Sequence, residues 1–367
     1  MAFAAWLMGG VSDRLGRKKV LVPSAIFFSL MSWVTGVARS YGGLLAVRAL
    51  LGLGEGGVFS SSVATLAEES TPSRNGFNLG AHQAVFPLLG IGLGAIIATQ
   101  LEQVVGWRPV FFIVGIPGLI LSIILAFVMK GSQQKRQIAK EEAPEEPVVT
   151  EKSKPHIFAA LKYHNVVLSS LISILYMNWL FVFSAFATLF LTEVRHLSLS
   201  QAGVVISAWG FGGFVGMLLV PALSDYMGRK PAMLVFTVLN GLFTLWFALA
   251  GTNQTLLFVI LLFGGIFGWG CYPVYLSLCT TESVPRELSG SAVGIPTAVG
   301  EIFGAVLMPV IAGALADKFG LSYPMFLAAA APIIAGVVAL FYIETAPKVL
   351  ARKAAQEAVD VSTVLAE

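Results

Sequence analysis

The stretch GGVSDRLGRKKV, residues 9–20, places one acidic and four basic residues directly after a run of apolar ones. The same arrangement, with fewer charged residues, returns as PALSDYMGRKPA at residues 221–232. We call these stretches the first and the second charged motif. Each lies between two apolar segments, so the repeat indicates a chain built from two similar halves that run in the same direction.

The composition is that of a membrane protein. Of the 367 residues, 56% are hydrophobic and only 12% are charged, and the mean hydropathy is +0.82. A soluble domain carries about 25% charged residues. The net charge of +3 is too small to indicate a nucleic-acid partner.

The sequence contains no pattern that is typical of an enzyme, a metal site or a cofactor site. Cys271 and Cys279 lie in one apolar segment and are predicted to be small core residues. The four histidines lack zinc-ligand spacing, and no phosphate-binding G-x-x-x-x-G-K-[ST] stretch is present. We therefore predict neither catalysis nor ATP-driven pumping.

Apolar stretches long enough to cross a bilayer follow the first motif, since about 20 helical residues span a ~30 Å hydrocarbon core. Backbone groups in lipid must bond within their own segment, so each stretch is predicted to be a helix. The ten predicted spans are 20–38, 43–66, 77–100, 108–129, 166–191, 199–222, 232–250, 255–279, 288–314 and 322–343.

The basic residues predict the orientation of these spans. If the first motif is cytoplasmic, 18 of the 23 Lys and Arg residues fall on the cytoplasmic side and 4 on the opposite side, with Arg48 inside a span. This asymmetry is typical of proteins that follow the positive-inside rule. We expect a multi-pass protein of the plasma (inner) membrane, with its linker and C-terminus in the cytoplasm.

One connection is much longer and more polar than the others. KGSQQKRQIAKEEAPEEPVVTEKSKP, residues 130–155, is charge-mixed and contains proline, as linkers do. We therefore predict an N-terminal bundle over 1–129, a cytoplasmic linker over 130–155, a C-terminal bundle over 156–345 and a cytoplasmic tail over 346–367. Two same-sense bundles of this kind are one plan of secondary transporters.

The first charged motif resembles the G-x-x-x-D-R-x-G-R-[RK] signature of the major facilitator superfamily. The second motif is a weaker copy, in which Pro221 and Tyr226 replace the first glycine and the first arginine. GWRPVFF, residues 106–112, also looks like the start of that family's sixth helix. The resemblance covers the whole chain and implies alternating access. By the family's helix numbering, we expect the first helix and most of the second to be missing, with Met1–Gly10 the end of a helix.

Both motifs are predicted to gate the cytoplasmic side, because a carboxylate at a helix end can accept from arginine or backbone N–H groups and later release them. The alternative is a charge cluster that only sets topology. The predicted gating residues are Gly9, Asp13, Arg14, Gly16, Arg17 and Lys18 in the first motif and Asp225, Gly228, Arg229 and Lys230 in the second.

Charged residues inside spans are costly and therefore suggest function. Arg48 and Glu55, in RALLGLGEGG, are seven residues apart and share one helix face. The R-x-x-x-G-x-x-E arrangement resembles the anion:cation symporter branch of the superfamily. That resemblance implies that Arg48 receives an organic carboxylate and Glu55 takes part in proton coupling. A structural ion pair is the alternative.

Glu301, in VGEIFGA, is predicted to be a second proton site, a partner of Arg48 or a structural residue. Tyr176, Asn178 and Tyr272 lie mid-span and are predicted to contact substrate, with simple packing between helices as the alternative. We predict a monomeric, proton-coupled symporter of a small organic anion. A drug/proton antiporter and a non-transporting remnant or receptor are the alternatives.

Overall fold

The computed structural model describes residues 8, 11–12, 15–69, 75–129, 157–285 and 288–364, and these residues form helices joined by short connections. Within those ranges no strand occurs. The predicted linker, and Gly9, Asp13 and Arg14 of the first charged motif, lie outside the described residues.

Ten of the helices are long and apolar enough to cross a membrane, which confirms the ten predicted spans. They are α1 (Arg17–Val37), α2 (Tyr41–Glu69), α3 (Gly80–Val105, preceded by helical residues from Asn75), α4 (Trp107–Val128), α5 (His164–Val194), α6 (Leu199–Met227), α7 (Arg229–Leu249), α8 (Gln254–Thr281), α9 (Ser289–Phe319) and α10 (Ser322–Ala339). A short 3₁₀ helix, Ile157–Lys162, precedes α5, and α11 (Pro347–Val364) lies in the predicted tail.

The ends of α9 and α10 differ by a few residues from the prediction, for local reasons. α9 continues to Phe319 because the chain turns only at Gly320, whose φ of +101° favours glycine. α10 ends at Ala339 because the following segment is bound to α5 instead: the Asn165 amide accepts from the Ile343 N–H at 3.0 Å and donates to the Ile343 carbonyl at 2.9 Å.

Four spans contain a π-helical segment, in which one wider turn interrupts the α-helix. The segments are Phe86–Leu93 in α3, Phe190–Val194 in α5, Val274–Leu278 in α8 and Gly300–Leu307 in α9. Proline accounts for two of them, because Pro87 and Pro273 have no N–H to donate. Such segments are frequent at functional sites, and that of α9 contains Glu301.

The chain divides into two units. The N-terminal unit comprises Met1–Leu79 and Ile97–Ser153. In it, α1 packs on α2 and α4, and the Trp33 indole donates to the Phe112 carbonyl of α4 at 3.0 Å.

The C-terminal unit comprises Gly80–Ile96 and Lys154–Glu367, and it contains the large hydrophobic core. The middle of α3 belongs to this unit because Gly92 packs against the Phe211 ring of α6. On another face of α6, Gly212 and Gly216 lie directly against the backbone of α8 at Leu262 and Ile266. Small residues at such seams let helices approach closely in a membrane.

Candidate functional site

The predicted pair Arg48 and Glu55 lies on α2, two turns and about 10 Å apart along the helix axis. Arg48 is exposed, and its guanidinium carbon lies 5.7 Å from the centroid of the Phe111 ring. Glu55 is half-buried. In the part of the chain that the structure describes, no hydrogen bond or ion pair joins the two side chains. The guanidinium therefore rests on an aromatic ring, and its N–H donors remain available to an anion.

Two glycines beside Glu55 have a packing role. A Cβ atom on Gly54 would lie 3.1 Å from the Phe28 backbone nitrogen, and one on Gly57 would overlap the Ser24 side chain. At these positions the glycines accommodate α1. The face of α2 that carries Gly54 and Gly57 therefore packs against α1.

Glu301 lies half-buried in the π-helical segment of α9. The Tyr272 phenol of α8 lies near the Glu301 carboxylate, so two of the predicted site residues are close to each other. The adjacent helix contacts are close: Gly300 packs against Ser173 and Gly304 against the backbone of α5 at Ile174. Glu301 is thus held between α5 and α8 within the C-terminal unit.

The predicted substrate contacts Tyr176 and Asn178 are almost fully buried in α5. The Tyr176 ring centroid lies 5.0 Å from that of Tyr275 and 5.8 Å from that of Trp179, and Tyr275 lies 5.8 Å from Tyr272. Tyr176 and Tyr272 therefore belong to one continuous aromatic cluster, which was not evident from their separation in sequence.

Several polar atoms in this cluster have no hydrogen-bond partner among the described residues, although each is buried. They are Ser173 Oγ, Tyr176 Oη, Asn178 Oδ1, Asn240 Nδ2 and Oδ1, Trp269 Nε1 and Tyr275 Oη. A buried polar group left unpaired costs about 1–3 kcal/mol. Asn240 was missed in the sequence analysis. Its signal was a lone amide in the middle of an otherwise apolar span.

The second charged motif forms a buried ion-pair network at Arg229. The Arg229 side chain is 4% exposed and pairs with Asp225, at 2.7 Å, and with Glu282. Its two contacts to the Glu282 carboxylate, at 2.8 and 3.1 Å, make a bidentate pair. This network joins the end of α6, the start of α7 and the segment just after α8.

A second carboxylate, Glu344, caps the start of α7. Its oxygens accept from the backbone N–H groups of Arg229, at 2.8 Å, and Lys230, at 3.2 Å. The Thr345 hydroxyl in turn donates to Glu282 at 2.8 Å. Glu282 and Glu344 were not singled out from the sequence, because nothing in their local pattern separates them from ordinary loop charges.

The described part of the first charged motif makes different contacts. Lys18 donates to the Met129 carbonyl at the end of α4, at 2.7 Å, and Arg17 donates to the Ser12 hydroxyl at 3.3 Å. Gly16 precedes α1 with φ of +96°. The three remaining predicted gating residues, Gly9, Asp13 and Arg14, lie outside the described residues.

Ten apolar helices, charged groups within the spans and two motif copies at helix junctions define a polytopic α-helical membrane protein of the secondary-transporter class. The chain belongs to the Major Facilitator Superfamily, whose sequence profile matches residues 1–302. This confirms the predicted family and makes the protein a transporter rather than an enzyme.

The relatives of the chain include transporters of organic acids. It is 28% identical to the "Probable 4-methylmuconolactone transporter" of Cupriavidus pinatubonensis over 330 residues, covering 88% of this chain and 74% of that protein. It is 26% identical to the 4-hydroxybenzoate transporter of Pseudomonas aeruginosa over 369 residues, covering 92% and 82%. It is 27% identical to the 3-(3-hydroxy-phenyl)propionate transporter of Escherichia coli over 345 residues, covering 90% and 79%.

Proposed function

We propose that this protein carries a small organic anion across the plasma (inner) membrane together with protons, by alternating access. The same proposal includes the division of the chain into bundle, linker, bundle and tail. It also includes a cytoplasmic location of the linker and the C-terminus, and a monomeric state. The anion class is that of the relatives, aromatic and related carboxylic acids.

The observation that carries the proposal is the setting of Arg48. An arginine within a span is costly unless it lines water or binds an opposite charge. Arg48 has the Phe111 ring beneath its guanidinium, and Glu55 of the same helix face acts on it electrostatically without forming an ion pair with it in the described ranges. A substrate carboxylate supplies that missing charge, and the planar guanidinium suits it because it binds a carboxylate through two parallel hydrogen bonds.

Glu55 and Glu301 are the proposed proton carriers. Each is a half-buried carboxylate inside a span, where removal from water makes the charged form costly relative to the neutral one. Binding a proton at Glu55 removes a negative charge from the helix face that carries Arg48, which favours entry of the anion. Release of the anion and the proton on the other side of the membrane completes the transport cycle.

The two charged motifs are the proposed cytoplasmic gate. Arg229 has partners on three chain segments of the C-terminal unit, so a movement of one of these segments away from the others exchanges a polar contact of Arg229 for water. A ligand shifts such an equilibrium only as far as its affinity differs between the two states. The bound anion and proton supply that difference in this proposal.

Uptake by proteoliposomes under an imposed proton gradient tests the proposal, with 4-hydroxybenzoate as the labelled probe. We expect Arg48→Ala to lower uptake at least about tenfold, ~1.4 kcal/mol, and Arg48→Lys to retain part of it. Glu55→Gln and Glu301→Gln should remove the dependence on the gradient. Unaltered pH-dependent uptake in Arg48→Ala and Glu55→Gln would refute the assignment.

Arg108→Ala is the matched control. Arg108 is also exposed in the N-terminal unit and also lies over an aromatic ring, that of Trp107, at 4.2 Å. It is the second residue of α4, at the end of that span rather than in its interior. Its loss should change uptake by less than about twofold, because exposed charges contribute little.

A further inference from the structure

Phe111 of α4 is the aromatic residue on which the Arg48 guanidinium rests. The two residues come from different helices, and the guanidinium carbon lies 5.7 Å from the Phe111 ring centroid, within the ~6 Å range of a cation–π contact. Both residues belong to the N-terminal unit. The contact is therefore internal to that unit.

Neighbouring residues hold Phe111 in place. The Trp107 ring, one turn earlier in α4, meets the Phe111 ring edge to face, with centroids 6.1 Å apart and planes at 88°. A Cβ atom on Gly36 of α1 would lie 3.4 Å from the Phe111 Cβ atom, so α1 passes close to this position. The α4 backbone is also anchored at the next residue, where the Phe112 carbonyl accepts from the Trp33 indole at 3.0 Å. The half-buried Phe111 ring is thus supported on several sides.

An aromatic ring suits a substrate-binding arginine better than a carboxylate partner does. A cation inside a span is costly without a stabilising neighbour. A carboxylate would neutralise the guanidinium and occupy its N–H donors, which lie in the plane of the group. An aromatic face attracts the cation through the ring quadrupole and leaves both the charge and the in-plane donors available. The Phe111 contact therefore stabilises Arg48 without competing with an incoming anion.

We propose that Phe111 is a positioning residue for anion binding, because it holds the Arg48 guanidinium in one orientation before the substrate carboxylate arrives. This inference rests on the proposed function, in which Arg48 receives that carboxylate. Arginine has several rotatable bonds, and ordering such a side chain on binding lowers the affinity. Since the ring has already ordered the guanidinium, the anion binds without that cost. Phe111 acts through Arg48 and needs no contact of its own with the substrate.

Uptake of labelled 4-hydroxybenzoate by proteoliposomes that contain the full chain, measured over a range of substrate concentrations, tests this inference. We expect Phe111→Leu to raise KM about two- to fivefold, which corresponds to the loss of one exposed cation–π contact, with the maximal uptake rate unchanged. Phe111→Met also lacks the ring and keeps the test valid if Phe111→Leu fails to fold. Phe111→Tyr retains the aromatic face and should keep KM within about 1.5-fold of the wild-type value.

Phe112→Leu is the matched control. Phe112 is the next residue of α4 and is also a phenylalanine, but its ring packs against Trp33 of α1, with centroids 6.4 Å apart. This variant loses a ring of the same kind from the same helical turn and should leave KM unchanged. A KM that rises equally in Phe112→Leu and Phe111→Leu would show that the general packing of α4 determines the affinity, and would overturn the inference.

The Arg48→Ala background distinguishes positioning from packing. Because Phe111 acts only through the guanidinium in this proposal, adding Phe111→Leu to Arg48→Ala should change the remaining uptake by less than about 1.5-fold. An effect of Phe111→Leu that persists in full without Arg48 overturns the inference. A lower maximal rate with KM unchanged does so too, since either result makes Phe111 a packing residue.

Failure of the proposed function has a different signature. Uptake that falls in Arg48→Ala, with KM unaltered in both variants that lack the Phe111 ring, supports the function and overturns this inference. Uptake that does not change in Arg48→Ala overturns the proposed role of Arg48, and the inference with it.

Discussion

Arg229 is a buried cation that is retained because its charge is matched on several sides. Asp225 pairs with it from the end of α6, Glu282 binds it through two nitrogen atoms, and the Ser224 hydroxyl accepts from a third. Removing Arg229 leaves the Glu282 carboxylate, which is 17% exposed, without its cation, whereas Asp225, at 42%, remains accessible to water. Such a variant is less stable than a protein in which apolar residues replace the whole ionic network.

At Arg229 we expect replacement by alanine to lower the free energy of unfolding by about 3 kcal/mol, since the largely shielded Glu282 carboxylate would lose its cation. Lys230→Ala is the control and should cost less than about 0.5 kcal/mol, because only the Lys230 backbone N–H takes part in the network. Thermal unfolding of the purified variants measures both. Equal losses in the two variants would show that the network does not stabilise the protein.

At the scale of elements, the junction between α6 and α7 depends on Gly228. Its φ is +104°, and a Cβ atom would overlap the Glu344 carboxylate that caps α7. Gly320, between α9 and α10, has nearly the same φ, +101°, and open space around the Cβ position. Substituting each glycine therefore distinguishes the cost of backbone strain, which is expected at both positions, from the cost of steric crowding, which is expected only at Gly228.

Gly320→Ala should cost about 1–3 kcal/mol of stability, from the backbone conformation alone. Gly228→Ala should cost more, because it also displaces Glu344 and with it the cap on α7. The comparison is made by thermal unfolding at one pH. A loss no greater than that at Gly320 would mean that Glu344 moves away freely and that the cap contributes little.

The seam between α6 and α8 is a second element-scale feature. A Cβ atom on Gly216 would overlap the Ile266 carbonyl, so Gly216→Ala should separate the helices and cost about 1–3 kcal/mol. Gly294 of α9 has open space, and Gly294→Ala should be neutral or stabilising by up to about 1 kcal/mol. Unfolding temperatures that fall alike in both variants would contradict the close packing of this seam.

The spans were predictable from sequence because hydrocarbon allows only helices, so an apolar stretch of sufficient length determines both the element and its extent. That Arg48, Glu55 and Glu301 lie inside spans was predictable for the same reason, and their roles remain predictions. The contacts of Glu282, Glu344 and Asn240 were not predictable. These contacts depend on which helix ends and helix faces pack together in the fold. Arg229 and Glu344, for example, are more than 100 positions apart in the chain, and the sequence around each of them does not indicate that they are in contact.

At the scale of the whole molecule, the central claim is coupled movement of an anion and protons in the same direction. Proteoliposomes that contain a pH-sensitive dye in the lumen test it directly, when 4-hydroxybenzoate is added outside without an imposed gradient. Symport predicts acidification of the lumen that follows substrate entry and is absent from protein-free vesicles. Substrate entry without acidification, or an alkaline shift of the lumen as in exchange for protons, would contradict the account.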